Sequence, residues 1–149
     1  MKNTALLAIA LFAATPALAE EICEIVKIDE VNTISTMTTS KTRTVPTKQG
    51  SECQYLDAKQ KSILTLEVRP AKLPKAELDV EAENLQKIYR TSVKPVEIGD
   101  GGFWLTSKQE LFFRKGKNIV RVVMAPAADA KVTQARTETL GRLVESRLK

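Results

Sequence analysis

From Ile63 to Arg69 the chain alternates. Leu64, Leu66 and Val68 are apolar, while Thr65, Glu67 and Arg69 are polar. A repeat of two is the signature of a strand with one buried face. Pro70 ends it. Tyr55–Asp57 forms the other arm of a hairpin, with Ala58–Lys61 as the connection and Gly50-Ser51 as the turn before it. Thr42–Thr47 reads as an edge strand, because Pro46 has no N–H to give a ladder. Three further strands follow late in the chain, Gly102–Thr106, Glu110–Lys115 and Ile119–Ala125, joined by hairpin-sized connections.

Three segments change to the helical repeat. Val31, Ile34 and Met37 recur at intervals of three behind Asp29, a good N-cap residue, so a short helix is expected over Glu30–Thr38. Leu78, Ala82, Leu85, Ile88 and Tyr89 predict a helix over Lys75–Thr91, stopped by Pro95. Its carboxylates Glu77, Asp79, Glu81 and Glu83 are assigned to a solvated face. Val132, Ala135, Leu140, Leu143, Val144 and Leu148 predict a long helix over Ala128–Leu148, with Gly141 as its weak point. Helix, strands, helix, strands, helix is an α+β order. We expect an antiparallel sheet of about five to six strands with helices packed on one face.

The ends change this picture. Residues 1–19 read MKNTALLAIALFAATPALA: a basic start, an apolar run from Ala5 to Ala14, and small residues at Ala17 and Ala19. This predicts a cleaved secretory signal peptide, leaving residues 20–149 as one domain. The apolar run is shorter than the roughly 20 residues a spanning helix needs. Glu21 and Ile22 stand before Cys23, which does not fit a lipid-anchor motif. The expected location is the periplasm, without lipid anchor or membrane span. In that oxidising compartment the only two cysteines, Cys23 and Cys53, are expected to pair. The net charge of +5 is mild and spread along the chain. It describes a mixed surface, and export removes the protein from nucleic acid.

Gly99, Asp100, Gly101 and Gly102 stand directly before Phe103 and the only tryptophan, Trp104. The segment reads first as a structural turn into a strand and second as a binding loop. Alternation places Phe103 and Trp104 on opposite faces, so one points outward if only one face is covered. An outward Trp104 near Phe112 or Phe113 would make an apolar contact patch. With the basic residues of the neighbouring strands, the candidate contact site is Phe103, Trp104, Arg114, Lys115, Lys117 and Arg121.

Candidate catalytic chemistry is sparse. The chain has no histidine, which removes the commonest general base and the commonest zinc ligand. No phosphate-binding loop, dinucleotide fingerprint or calcium loop occurs. No catalytic residue, cofactor or metal is predicted.

Cys23, Glu30-Val31, Ser51-x-Cys53-x-Tyr55, Ile98-Gly99-Asp100, Phe103-Trp104 and Lys115-Gly116 together resemble the small exported proteins related to the LpqN-like lipoproteins of actinobacteria. The resemblance implies a PsbP-like α+β sandwich outside the cytoplasm, with the Gly-Asp turn leading into the first strand of the second meander. It supplies no catalytic residues. This chain departs from the pattern in lacking the lipobox and in carrying Gly101-Gly102. The expected function is that of a periplasmic binding protein without catalytic activity. It would recognise another protein or an envelope component, as an inhibitor or immunity-type protein does. The alternative is a small-molecule carrier with a pocket between sheet and helices lined by Leu85, Ile88, Phe112 and Val122. A histidine-free hydrolase ranks third.

Overall fold

The computed structural model describes residues 22–73 and 76–149. The expected signal peptide, 1–19, lies outside them. A 3₁₀ turn, Ile22–Glu24, opens the described chain. Next come α1 (Ile28–Ser35) and the strands β1 (Lys41–Pro46), β2 (Ser51–Leu56) and β3 (Ser62–Pro70). The second half runs α2 (Glu77–Tyr89), β4 (Val93–Val96), β5 (Gly102–Leu105), β6 (Glu110–Lys115), β7 (Asn118–Met124) and α3 (Ala130–Arg147). All seven strands join one antiparallel sheet in the order β1-β2-β3-β7-β6-β5-β4. Two meanders therefore meet at β3 and β7, where Leu66 lies opposite Val122.

The α+β class is as expected, but the described residues hold seven strands. The extra strand is β4. Pro95, expected to stop the preceding helix, sits instead inside a short edge strand, where a missing N–H does little harm. The Gly-Asp turn consequently leads into the second strand of the second meander. Ser51 belongs to β2, and the turn before it closes with the Thr47 N–H donating to the Gly50 carbonyl at 3.0 Å. Helix α1 starts two residues earlier than expected. Lys27 is its cap position, and the Lys27 N–H donates to the Glu30 carboxylate at 2.9 Å.

Helices cover both faces of the sheet, against the expectation of one. On the first face α1, α3 and the 3₁₀ turn pack over Tyr55, Leu64, Leu66, Trp104, Leu111, Phe113, Val120 and Val122. On the second face α2 lays Leu78, Ala82 and Leu85 over Phe103, Leu105, Phe112 and Ile119. That settles Phe103 and Trp104. Successive side chains go to opposite faces, both faces are covered here, and both residues are buried, at 4% and 2% exposed. Phe103 stacks on Phe112 with ring centroids 4.9 Å apart. Neither aromatic residue is available for the outward patch.

The first face is locked by specific contacts. Gly141 lets α3 approach the sheet: a Cβ there would lie 2.5 Å from Leu111 Cδ2. The weak point in the sequence is thus a close-packing position. Cys23 and Cys53 form a disulfide with Cα atoms 5.2 Å apart, fastening the 3₁₀ turn to β2. The Tyr55 hydroxyl donates to the Val26 carbonyl at 2.6 Å. Arg147 at the end of α3 grips both Glu30 oxygens, at 2.7 and 2.6 Å, and the Ile25 carbonyl at 2.7 Å.

Candidate functional site

Helix α2 spans only the β4–β6 half of the second face, together with Ile119 of β7. Among the described residues no helix lies over the other half, built on β1, β2, β3 and β7. Its side chains include the polar Arg43, Gln54, Glu67, Arg69 and Arg121, with the half-buried Val45 and Val123 among them. Where this open half meets α2 there is a cleft of about 290 Å³. Phe112 and Ile119 form its floor, Glu67, Arg69, Glu81 and Arg121 its walls, and the β1–β2 turn Thr47, Lys48 and Gln49 its rim.

Two arginines organise the walls. Arg121 of β7 makes a bidentate pair with Glu110 of β6, at 3.0 and 2.9 Å, and reaches Glu67 of β3 at 3.4 Å. Arg69 of β3 crosses to α2, donating to Glu77 at 2.7 Å and also to Glu81. The second Glu77 oxygen accepts the Lys72 and Leu73 N–H groups at 2.6 and 2.8 Å, tying the residues after β3 to the start of α2. The result is a row of alternating charge with fixed geometry, the form in which guanidinium–carboxylate pairs are strongest.

The pKa directions follow from these contacts. Burial opposes the charge on Arg69 and Arg121, but their carboxylate partners outweigh it and both pKa values rise. Glu77 is lowered by its bond from Arg69 and then by the Leu73 N–H. Glu81 is raised, because burial outweighs the pull of Arg69. Two carboxyls pushed apart on one helix is a pattern that acid–base catalysis uses. Here both contact the same guanidinium, and Glu77 has both oxygens engaged.

The sequence-derived contact residues scatter. Only Arg121 lines the cleft. Phe103 and Trp104 are core residues of opposite faces. Arg114 donates to the backbone carbonyls of Gly116 and Leu73 at 2.9 and 3.3 Å, Lys115 pairs with Glu145 at 3.5 Å, and Lys117 lies exposed at the β6–β7 turn. The glycine-rich segment is a clamp on that turn. The Asp100 N–H donates to the Arg114 carbonyl at 2.8 Å, and Asp100 Oδ2 accepts the Gly116 N–H at 2.7 Å. Gly99 has φ +63°, and a Cβ there would lie 2.0 Å from the Arg114 carbonyl oxygen, so only glycine fits.

Sequence reasoning passed over Glu67, Arg69, Glu81 and Glu110. Glu77 and Glu81, expected on a solvated face, turn toward the sheet, while Asp79 and Glu83 are exposed. The available signal was their spacing of four, opposite the single arginine at the end of β3. Nor do Leu85, Ile88, Phe112 and Val122 line one cavity: Val122 belongs to the first face, and Ile88 is 69% exposed.

A second depression, of about 550 Å³, lies at the other side of the β3 end. Ile22, Ile25, Val68, Pro70 and Leu148 supply its apolar lining. Among the described residues no cluster of three histidine, cysteine or acidic side chains is placed to hold a metal, and no helix is long and apolar enough to cross a membrane. No family model matches the chain, and no curated protein matches it significantly. The likeness to the LpqN-like lipoproteins rests on its short motifs alone.

Proposed function

We propose that this chain is an exported, disulfide-stapled recognition protein without catalytic activity, and that it engages another protein of the periplasm or envelope through the open half of its sheet. An inhibitor or immunity-type role is the specific form of this reading. The observation that carries it is the unequal cover of the second face, which leaves an ordered row of both charge signs beside an apolar floor. Its arginines are already paired. A small anion would have to displace a bound carboxylate, whereas a protein surface can match several alternating charges at once.

Replacing Gln49 at the cleft rim with p-benzoylphenylalanine tests this in cells. A discrete crosslinked adduct is expected from Gln49 and none from the same substitution at Thr139 on the outer side of α3. Adducts from Thr139 alone, or from neither position, overturn the proposal. Export has its own check: the processed chain is expected in the periplasmic fraction with no thiol open to alkylation.

One observation favours the carrier as a second reading. The apolar depression beside Ile25 and Leu148 is within the usual size range of small-molecule sites. Saturable binding of an apolar fluorescent probe, lost in Leu148→Asp, would support it.

A further inference from the structure

The open half-face ends at β1, an edge of the sheet. The two edges are built differently. β4 has four residues and carries Pro95 inside it. β1 has six, and its one proline, Pro46, is the last. An unpaired edge strand is a template for a further strand.

The phase of β1 follows from its hairpin. Thr47 bonds Gly50 across the turn, and hydrogen-bonded pairs recur at every second residue of an antiparallel ladder. Val45, Arg43 and Lys41 therefore bond toward β2, while the N–H and C=O groups of Thr42 and Thr44 turn away from it. The side chains of Lys41, Arg43 and Val45 lie on the open face. Arg43 is steadied by Gln54 Oε1 at 3.2 Å, and Gln54 in turn donates to Glu52 at 2.6 Å. Lys41 and Arg43 are both exposed, and neither has an ion-pair partner among the described residues.

Resting on the proposed recognition role, we infer that β1 is the docking edge for an extended acidic segment of the partner protein, which adds to the sheet as an eighth strand. Charge selects the occupant. In the antiparallel register that overlaps Lys41–Val45 fully, a second copy paired through β1 would set Arg43 directly against itself, and like charges directly opposite destabilise a ladder. A segment with acidic residues opposite Lys41 and Arg43, and an apolar one opposite Val45, complements the edge. Its outer side chains would then extend the charged row of the cleft.

The probe is a blocked heptapeptide in which one valine and two glutamates alternate with threonines. Its control has lysine for glutamate. Both are titrated into isotope-labelled protein comprising residues 20–149. The acidic peptide is expected to shift the Lys41–Val45 amides, to slow hydrogen exchange at Thr42 and Thr44, and to leave β4 unmoved. The lysine peptide is expected to bind at least fivefold more weakly, an order-of-magnitude figure for two cross-strand charge pairs.

Thr42→Pro removes an outward donor in the phase that Pro46 already occupies, and is expected to weaken binding roughly tenfold. Arg43→Glu changes only an exposed side chain and is expected to reverse the peptide preference, so the test survives if the proline variant misfolds. Equal binding of both peptides, no binding, or unchanged binding by Arg43→Glu overturns the inference. Shifts at Gln54 and Glu67 without protection of Thr42 and Thr44 overturn the edge while sparing recognition by the face. Loss of the Gln49 adduct removes the recognition role itself.

Discussion

The two faces of this sheet carry similar strands and have different fates. On the first face α3 covers the centre of the sheet with α1 packed beside it, and the contacts are aromatic and aliphatic side chains fastened by a disulfide, a buried tyrosine hydroxyl and an arginine clamp. On the second, a single helix of 13 residues covers half, and the uncovered strands turn arginines and glutamates outward. The difference teaches where stability resides and where the proposed recognition would. Apolar area removed from water supplies the first at about 25 cal/mol per Å². A row of partly buried charge pairs, whose desolvation offsets much of their attraction, supplies little net stability, which would leave it open to specify a partner.

The comparison is broken most sharply in the aromatic residues. Trp104→Ala and Phe113→Ala, on the first face, are each expected to destabilise by about 3–5 kcal/mol in urea unfolding. Phe112→Ala, at the floor of the cleft, should lose about 2–3 kcal/mol, because its surroundings are freer to relax. Equal losses from Phe112 and Phe113 would show that the second face is as tightly packed as the first.

Replacing both cysteines with alanine should lower stability by about 3–4 kcal/mol, from a loop closed over a separation of 30 residues. The loss should be the same with Glu110→Gln in the background, since Glu110 sits on the opposite face and three strands away from Cys53.

Tyr55 sharpens the contrast through pH. Burial is the main reason its hydroxyl pKa is pushed up to about 12, against an ordinary 10.0. The group is raised, so its contribution is complete below pH 10 and is lost as pH climbs through about 12. Tyr55→Phe should remove that alkaline loss. It should lower stability at neutral pH by about 1–2 kcal/mol through the bond to Val26.

The smallest effects belong to half-buried charges near the surface. Arg147, followed by the Lys27 N–H, holds Glu30 at about 2, below its ordinary 4.5. Its contribution is present above pH 4.5 and fades as pH falls through about 2, so Glu30→Gln should flatten that acid limb. On the open face Glu67→Gln should change stability by less than about 1 kcal/mol. Any larger effect of Glu67→Gln would mean that the charged row is a structural element of the fold.

Much of this architecture was legible in the chain. Leu64, Leu66 and Val68 announced β3 because a period of two admits no helix. Cys23 and Cys53 announced their bridge because the chain holds no other cysteine. β4 escaped notice because four residues around a proline carry no period, and only pairing with Gly102–Leu105 makes them a strand. The cleft escaped because Arg69, Glu77 and Glu81 are ordinary surface residues until α2 is laid across the sheet.

The sequence by itself determined which residues are apolar at which period, and hence the strands, the helices and the α+β class. The tertiary structure alone decided that α2 crosses to the second face, that it covers half of that face, and that Phe103 and Trp104 are both buried. A periodic pattern records which side of an element avoids water, since that is a property of neighbours along the chain. It does not record which partner does the covering, because that depends on contacts between residues far apart in sequence.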